Sequence, residues 1–345
     1  MVRFLAALGI MAYHFRFIGV IEGFYAWDVF RPIAFWGELG VDIFFIISGF
    51  VILFSAESKK TYAQFLWGRM IRVYPAFIIG SALTMMMGMI MPGTEKKDLL
   101  CRWMGSLTLY NKNFLGGGYN LLSSVYWTLM IEIKFYILVA VIKKIGIWRQ
   151  HKYHLLFLWV SLSLINRFDF QWDWFELWFI SEYSGHFATG IILYLFYKGE
   201  RDKWMLPVTA GSIWLVYRNC VGYMEWIRGI YDQLPYSEAD ILFAVMIMIS
   251  FLYFAVYVTV QKQELSRKTA FLGAWSYTVY LVHADFGYFI RTQYYQRLIV
   301  WMPWLSEIVN EHIIMSAAVV LSLALSYMVF VISEKGRQVF RCGKI

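Results

Sequence analysis

The chain has 345 residues, of which 60% are hydrophobic, 20% aromatic and only 16% charged, with a mean hydropathy of +0.55. A soluble globular domain carries about 25% charged residues, so this composition excludes an ordinary soluble fold and predicts an all-α integral membrane protein. The net charge of +8 does not point to nucleic acid, because Lys and Arg are spread over many short loops and form no single stripe.

Apolar runs of near-spanning length predict a polytopic bundle of about ten transmembrane helices, over residues 3–21, 37–55, 73–92, 125–142, 153–168, 174–197, 204–219, 240–260, 271–291 and 310–332. The fifth and seventh are short. No linker or low-complexity tract divides the chain, so one membrane-embedded domain is expected over 1–345. No signal peptide precedes the first span, which begins almost at Met1; a tight natural start or a missing short leader would both fit. With the N-terminus in the cytoplasm, the loops then assigned inside carry most of the Lys and Arg. Only the segment near 95–112 departs from the positive-inside pattern. An even number of spans places the C-terminus in the cytoplasm too.

Polar residues inside these spans are the candidates for chemistry, because ionisable groups in a membrane helix are expensive and face a bundle interior or an aqueous cavity. In the first span Arg3 and His14 lie eleven residues apart. That is three turns and roughly 20°, so both share one face about 16 Å apart along the axis. The second span, GVDIFFIISGF, carries Asp42 near its outer end and Ser48 deeper, next to Gly49. Ser48–Gly49 fits helix packing as well as a site role, whereas Asp42 needs a partner. Arg69 and Arg72 in RMIRVYPA are i, i+3 and share a face. They read either as anchors snorkelling to lipid phosphates or as a bidentate phosphate clamp.

The fourth span holds Glu132 and Lys134 in WTLMIEIKFY. At i, i+2 they point to different faces and need separate partners, and Trp127 and Tyr126 suit the outer interface. Glu182 and His186 follow at i, i+4 in the sixth span, and Tyr280, His283 and Asp285 lie in the ninth. Cys101, Cys220 and Cys342 lack metal-ligand spacing, so no metal is expected. Cys101 and Cys220 could pair or stay free. No phosphate-binding loop, zinc motif or nucleophile elbow is present.

The chain resembles the acyltransferase 3 family of integral membrane acyltransferases, almost end to end. The resemblance rests on Arg3 and His14 at their spacing, GVDIFFIISGF at 40–50, RMIRVYPA at 69–76, WTLMIEIKFY at 127–136, SYTVYLVH at 276–283 and the closing Ser333-Glu334-Lys335. It implies an O-acyltransferase in a bacterial inner membrane. Such an enzyme commonly moves acetyl from acetyl-CoA, a co-substrate and not a bound cofactor, to an extracytoplasmic carbohydrate such as exopolysaccharide or O-antigen. It also implies a functional pair in Arg3 and His14, donor binding by Arg69 and Arg72, and a matching acidic position in Glu132. Relatives with a fused SGNH-type domain hand the acyl group to it; no such domain follows here, so a partner protein or direct acylation is expected.

The reading that follows has CoA phosphate at Arg69 and Arg72 and neutral His14 as general base on an acceptor hydroxyl. Arg3 either binds donor phosphate or orders the lower cavity. Glu132 or Asp42 holds the imidazole or binds sugar hydroxyls, while Ser48, Trp127, Glu182, Tyr280 and His283 line the cavity or the acceptor path. Direct transfer is preferred over an acyl-enzyme on Ser48. A transporter or flippase would share the buried charges and two-sided cavity, but no inverted repeat is visible.

Overall fold

The computed structural model describes residues 1–21, 31–91, 93–116, 118–230, 236–261, 267–290, 300–302, 304 and 311–342. Pro92, Arg291 and Asn310, which bound three predicted spans, lie outside the described residues. Among those described there is no β-strand, only an isolated bridge between Asn111 and Tyr119. An apolar chain in lipid has no water to satisfy its backbone, so helices that bond within themselves are the available solution.

The first helix is α1 (Val2–Tyr13), which passes through a π-turn at His14–Ile18. A short helix at Arg31–Phe35 and a 3-10 turn at Trp36–Glu38 lead into α2 (Leu39–Ser58). Next come α3 (Tyr62–Ile90), α4 (Lys96–Leu107), α5 (Trp127–Ile145) and α6 (Trp148–Ile165). The chain continues through α7 (Asp173–Phe179), α8 (Ser184–Tyr197) and α9 (Met205–Ile230), then α10 (Glu238–Gln261), α11 (Ala270–Phe289) and α12 (Glu311–Cys342).

Helix lies over every predicted span, with two differences of substance. The expected helix at 174–197 is broken: Ile180 takes a left-handed conformation at φ 55°, which ends α7, and α8 starts at Ser184. The short stretch 204–219 belongs to the longer α9, which continues to Ile230. Among the described residues, five segments are long and apolar enough to cross a membrane by themselves: Pro32–Ser58, Tyr62–Ile90, Ser124–Ile145, Glu238–Thr259 and Ile313–Gln338. Outward side chains agree with a lipid surround, since Phe243 and Phe254 on α10 are 69% and 61% exposed, a large apolar surface that water would penalise.

α2 is the hub, packed on α1, α5 and α8. The contact with α8 is close enough that a Cβ on Gly49 would collide with the Phe187 carbonyl, and one on Gly190 with the Ile46 carbonyl. On the opposite side a Cβ at Gly40 would sit 2.5 Å from the Ala6 carbonyl of α1. Around this hub α11 packs on α1, α3 and α12, and α3 packs on α5. The six helices α1, α2, α3, α5, α11 and α12 thus enclose one interior. Cys101 and Cys220 are both free thiols, on α4 and α9, which settles the open choice between pairing and thiols.

Candidate active site

Among the described residues, two small interior cavities of about 30 and 20 Å³ adjoin each other, room for a water or two each. They share Arg3, Ser48, Glu132 and Tyr277 in their walls. One extends toward Phe44, Thr128 and Tyr280; the other toward Arg69, Arg72, Tyr136 and Arg337. Residues from α1, α2, α3, α5, α11 and α12 therefore meet at one place.

At the shared wall, Ser48 Oγ donates to Glu132 Oε1 at 3.0 Å. The Ser48–Gly49 pair thus divides its work. Gly49 faces α8 and allows close packing, while Ser48 faces α5 and the cavities. Glu132 and Lys134 separate as their spacing requires, for Lys134 Nζ lies 6.0 Å from the Phe114 ring centroid, away from both cavities.

Arg3 faces the same wall, with its guanidinium 5.1 Å from the Phe44 ring centroid. Its Nε is buried without a hydrogen-bond partner. Glu132, Arg69, Arg72 and Tyr136 line the same cavity as Arg3. Arg69 is only 7% exposed and lies 5.9 Å from both the Phe65 and Tyr136 ring centroids. A guanidinium snorkelling to the surface would be exposed; this one points inward. Arg337, which lies beyond the last predicted span at 310–332, joins the cavity wall and is paired with Glu334. Its only sequence signal is the i, i+3 spacing to Glu334, which also suits an ordinary surface pair. Four arginines face two carboxylates, Glu132 and the Glu334 that pairs with Arg337, so the interior keeps a positive excess, a setting for an anionic ligand.

His14 lies at neither cavity. It stands about three turns further along α1, at the first residue of the π-turn, a local irregularity frequent at functional sites. Its ring centroid is 5.0 Å from that of His283. His283 Nδ1 faces the carbonyls of Tyr280 at 2.9 Å and Val279 at 3.2 Å. Carbonyls only accept, so Nδ1 carries the proton and Nε2 keeps its lone pair. Both His283 Nε2 and His14 Nδ1 are buried without a hydrogen-bond partner, the condition a buried polar group avoids unless it is used. Tyr280 links the two regions. It lines the first cavity, lies 5.7 Å from the His283 ring, accepts from Thr128 Oγ1 at 2.9 Å and donates to the Val125 carbonyl at 3.0 Å.

The other predicted residues lie outside the cavity walls. Asp42 pairs with His186 Nε2 at 2.6 Å, both buried between α2 and α8. Glu182 sits in the break before α8 and accepts from Asn219 Nδ2 through its carbonyl at 3.4 Å. Trp127 packs on Tyr183 and Phe45, with centroids 5.4 and 5.9 Å away. Tyr183 joins them, its ring centroid 5.4 Å from that of Trp127 and 5.5 Å from that of His186.

A family model, described as an acyltransferase domain (Acyl_transf_3), matches residues 1–331. The chain belongs to the acyltransferase 3 family. With its apolar helices, membership makes it an integral membrane acyltransferase. Neither a curated protein nor a solved structure matches it. The arginine cluster around Ser48 and Glu132 suits an anion, and the imidazole pair beyond Tyr280 holds nitrogens without partners.

Proposed function

We propose that this acyltransferase moves an acetyl group from cytoplasmic acetyl-CoA to a hydroxyl of an extracytoplasmic carbohydrate. In this reading it is one domain that crosses a bacterial inner membrane about ten times with both termini inside. The observation that carries it is the inward cluster of Arg3, Arg69, Arg72 and Arg337 around Ser48 and Glu132 in a chain of this family. Guanidinium groups stay charged and match phosphate oxygens two at a time, as a CoA phosphate requires. The thioester arm, about 15–20 Å by chain geometry, spans the roughly 16 Å from the level of Arg3 to that of His14. Cavities of 20–30 Å³ do not admit that arm, so α2, α5 and α11 must part to let it in.

His14 takes the proton from the acceptor hydroxyl while its oxygen attacks the thioester carbonyl. The C–S bond then breaks, CoA leaves as thiolate and a proton returns to it. His283, with its proton on Nδ1 and its ring centroid 5.0 Å from that of His14, is a neutral base beside the imidazolium that forms. Membrane lipid surrounds the bundle, and a partner protein could receive the acyl group.

The Ser48–Glu132 hydrogen bond supports a second route, in which Glu132 takes the Ser48 proton and an acetyl-serine forms before transfer. Quenched reactions with acetyl-CoA alone would leave an acetyl ester on Ser48 by this route and none by direct transfer. A transporter or flippase for a glycan or lipid-linked intermediate would use a polar interior without consuming thioester. Purified protein given acetyl-CoA and acceptor polysaccharide should release CoA thiol in step with ester formation; transport without thiol release would favour that alternative. Cysteine labelling of 56–68 and 336–345 from the cytoplasm, and of 93–120 from outside, tests the orientation.

A further inference from the structure

A lateral groove of about 1060 Å³ opens between α5 and α6, floored by α2 and α8. It shares no residue with the two cavities around Arg3. Its walls are apolar: Phe135, Leu138 and Ile142 on α5 face Leu155, Leu158 and Leu162 on α6. Along α5 it runs from Phe135 to Ile145, about 15 Å at 1.5 Å per residue. That is half of a hydrocarbon core roughly 30 Å thick, so the groove is one leaflet deep. Trp174, Phe175 and Phe179 of α7 close the far end.

The charges gather at the other end, where α2, α5 and α8 finish and α6 begins. Lys59, Lys60, Lys143, Arg149, Lys152 and Lys198 line it, against the single carboxylate of Glu57. Glu57 is already engaged by Lys198 Nζ at 2.8 Å, Tyr194 Oη at 2.8 Å and Trp148 Nε1 at 3.3 Å, and Lys152 pairs with Glu200. Among the described residues, Lys59, Lys60, Lys143 and Arg149 make no salt bridge. A positive head end over a chain-deep apolar hollow is complementary to one kind of molecule, an amphiphile with a negative head. A nucleotide donor fits poorly, because the hollow offers few polar partners for adenine or amide groups.

We propose that this groove holds one anionic phospholipid of the adjacent leaflet. Its phosphate lies among Lys59, Lys60, Lys143 and Arg149, and an acyl chain lies between α5 and α6. The site is independent of the acetyl-transfer reading.

The test is native mass spectrometry of delipidated protein, titrated with dioleoylphosphatidylglycerol and with dioleoylphosphatidylcholine. Wild type should retain the anionic lipid at least about tenfold more strongly, given four unpaired cations near the headgroup. Replacing those four, Lys59→Gln, Lys60→Gln, Lys143→Gln and Arg149→Gln, should erase the preference. If that protein does not accumulate, Leu138→Trp decides the matter: it fills the hollow without touching any charge and should lower retention of both lipids. Equal retention of the two lipids by wild type would overturn the proposal, as would unchanged retention in Leu138→Trp. Displacement of the bound lipid by acetyl-CoA would overturn it too, by giving the groove to the donor.

Discussion

Replacing Arg69 and Arg72 together by Lys separates a phosphate clamp from a membrane anchor. Lys keeps the charge that sets orientation but loses the planar fork that grips two phosphate oxygens. Arg69 is 7% exposed, beside Tyr136 and across from Glu132, so its guanidinium is desolvated and each bond it makes counts. A hydrogen bond to a charged group is worth about 1.5–3 kcal/mol, and 1.4 kcal/mol is a factor of ten. The KM for acetyl-CoA should therefore rise by roughly 10- to 150-fold. The two losses should not simply add, since both side chains line one cavity and share a ligand. Steady-state kinetics with acetyl-CoA and with the analogue lacking the 3′-phosphate measures this directly. Wild type should prefer the full nucleotide and the double variant should lose most of that preference. An unchanged KM with the preference intact would refute the reasoning and move the donor site, with Arg3 the next candidate.

His14→Ala should cut transfer by a factor of about 10² to 10⁴, the usual cost of losing a general base, with membrane accumulation unchanged; wild-type ester formation would remove His14 from the mechanism. Gly190→Leu should destabilise the α2–α8 contact, where even a Cβ meets the Ile46 carbonyl, by about 1–3 kcal/mol, seen as a lower melting temperature; an unchanged melt would mean that the two helices part easily. Burial pushes the Glu200 carboxyl up, but hydrogen bonds from Lys152 and Tyr153 outweigh it and hold the group below its usual range. Its contribution to stability is then present above the ordinary Glu value near 4.3 and is lost as pH falls through the lower folded value. Melting in detergent across that range should show an acid-side loss that Glu200→Gln reduces; identical profiles would discount the Lys152–Glu200 pair.

The parts of the fold written in local chemistry were legible. Apolar runs located the helices because a membrane asks for length and hydropathy, and the i, i+2 spacing of Glu132 and Lys134 alone separated their faces. Features that depend on a neighbouring helix were not. Nothing local marks Ile180 as the break in the expected 174–197 helix, since a left-handed non-glycine residue carries no composition signal. Arg337 at a helix end looks like any loop charge until α12 is placed against α3 and α11. The same limit applies to Arg3 and His14. Their shared face was readable, but which residues each one meets was not, and the fold gives Arg3 to the arginine cavity and His14 to His283. Asp42 needed a partner by physics; that the partner is His186 follows only from the tight α2–α8 packing at Gly49 and Gly190.

The central claim is acetyl transfer from CoA on one side of the membrane to carbohydrate on the other. It is tested most directly in oriented proteoliposomes, with labelled acetyl-CoA supplied only at the face proposed to be cytoplasmic and acceptor polysaccharide only at the opposite face. The account predicts label in the polysaccharide matched by CoA thiol at the donor face, and loss of both in His14→Ala. Label that appears only when donor and acceptor share a face, or thiol release with no acetylated carbohydrate under any acceptor, would contradict it.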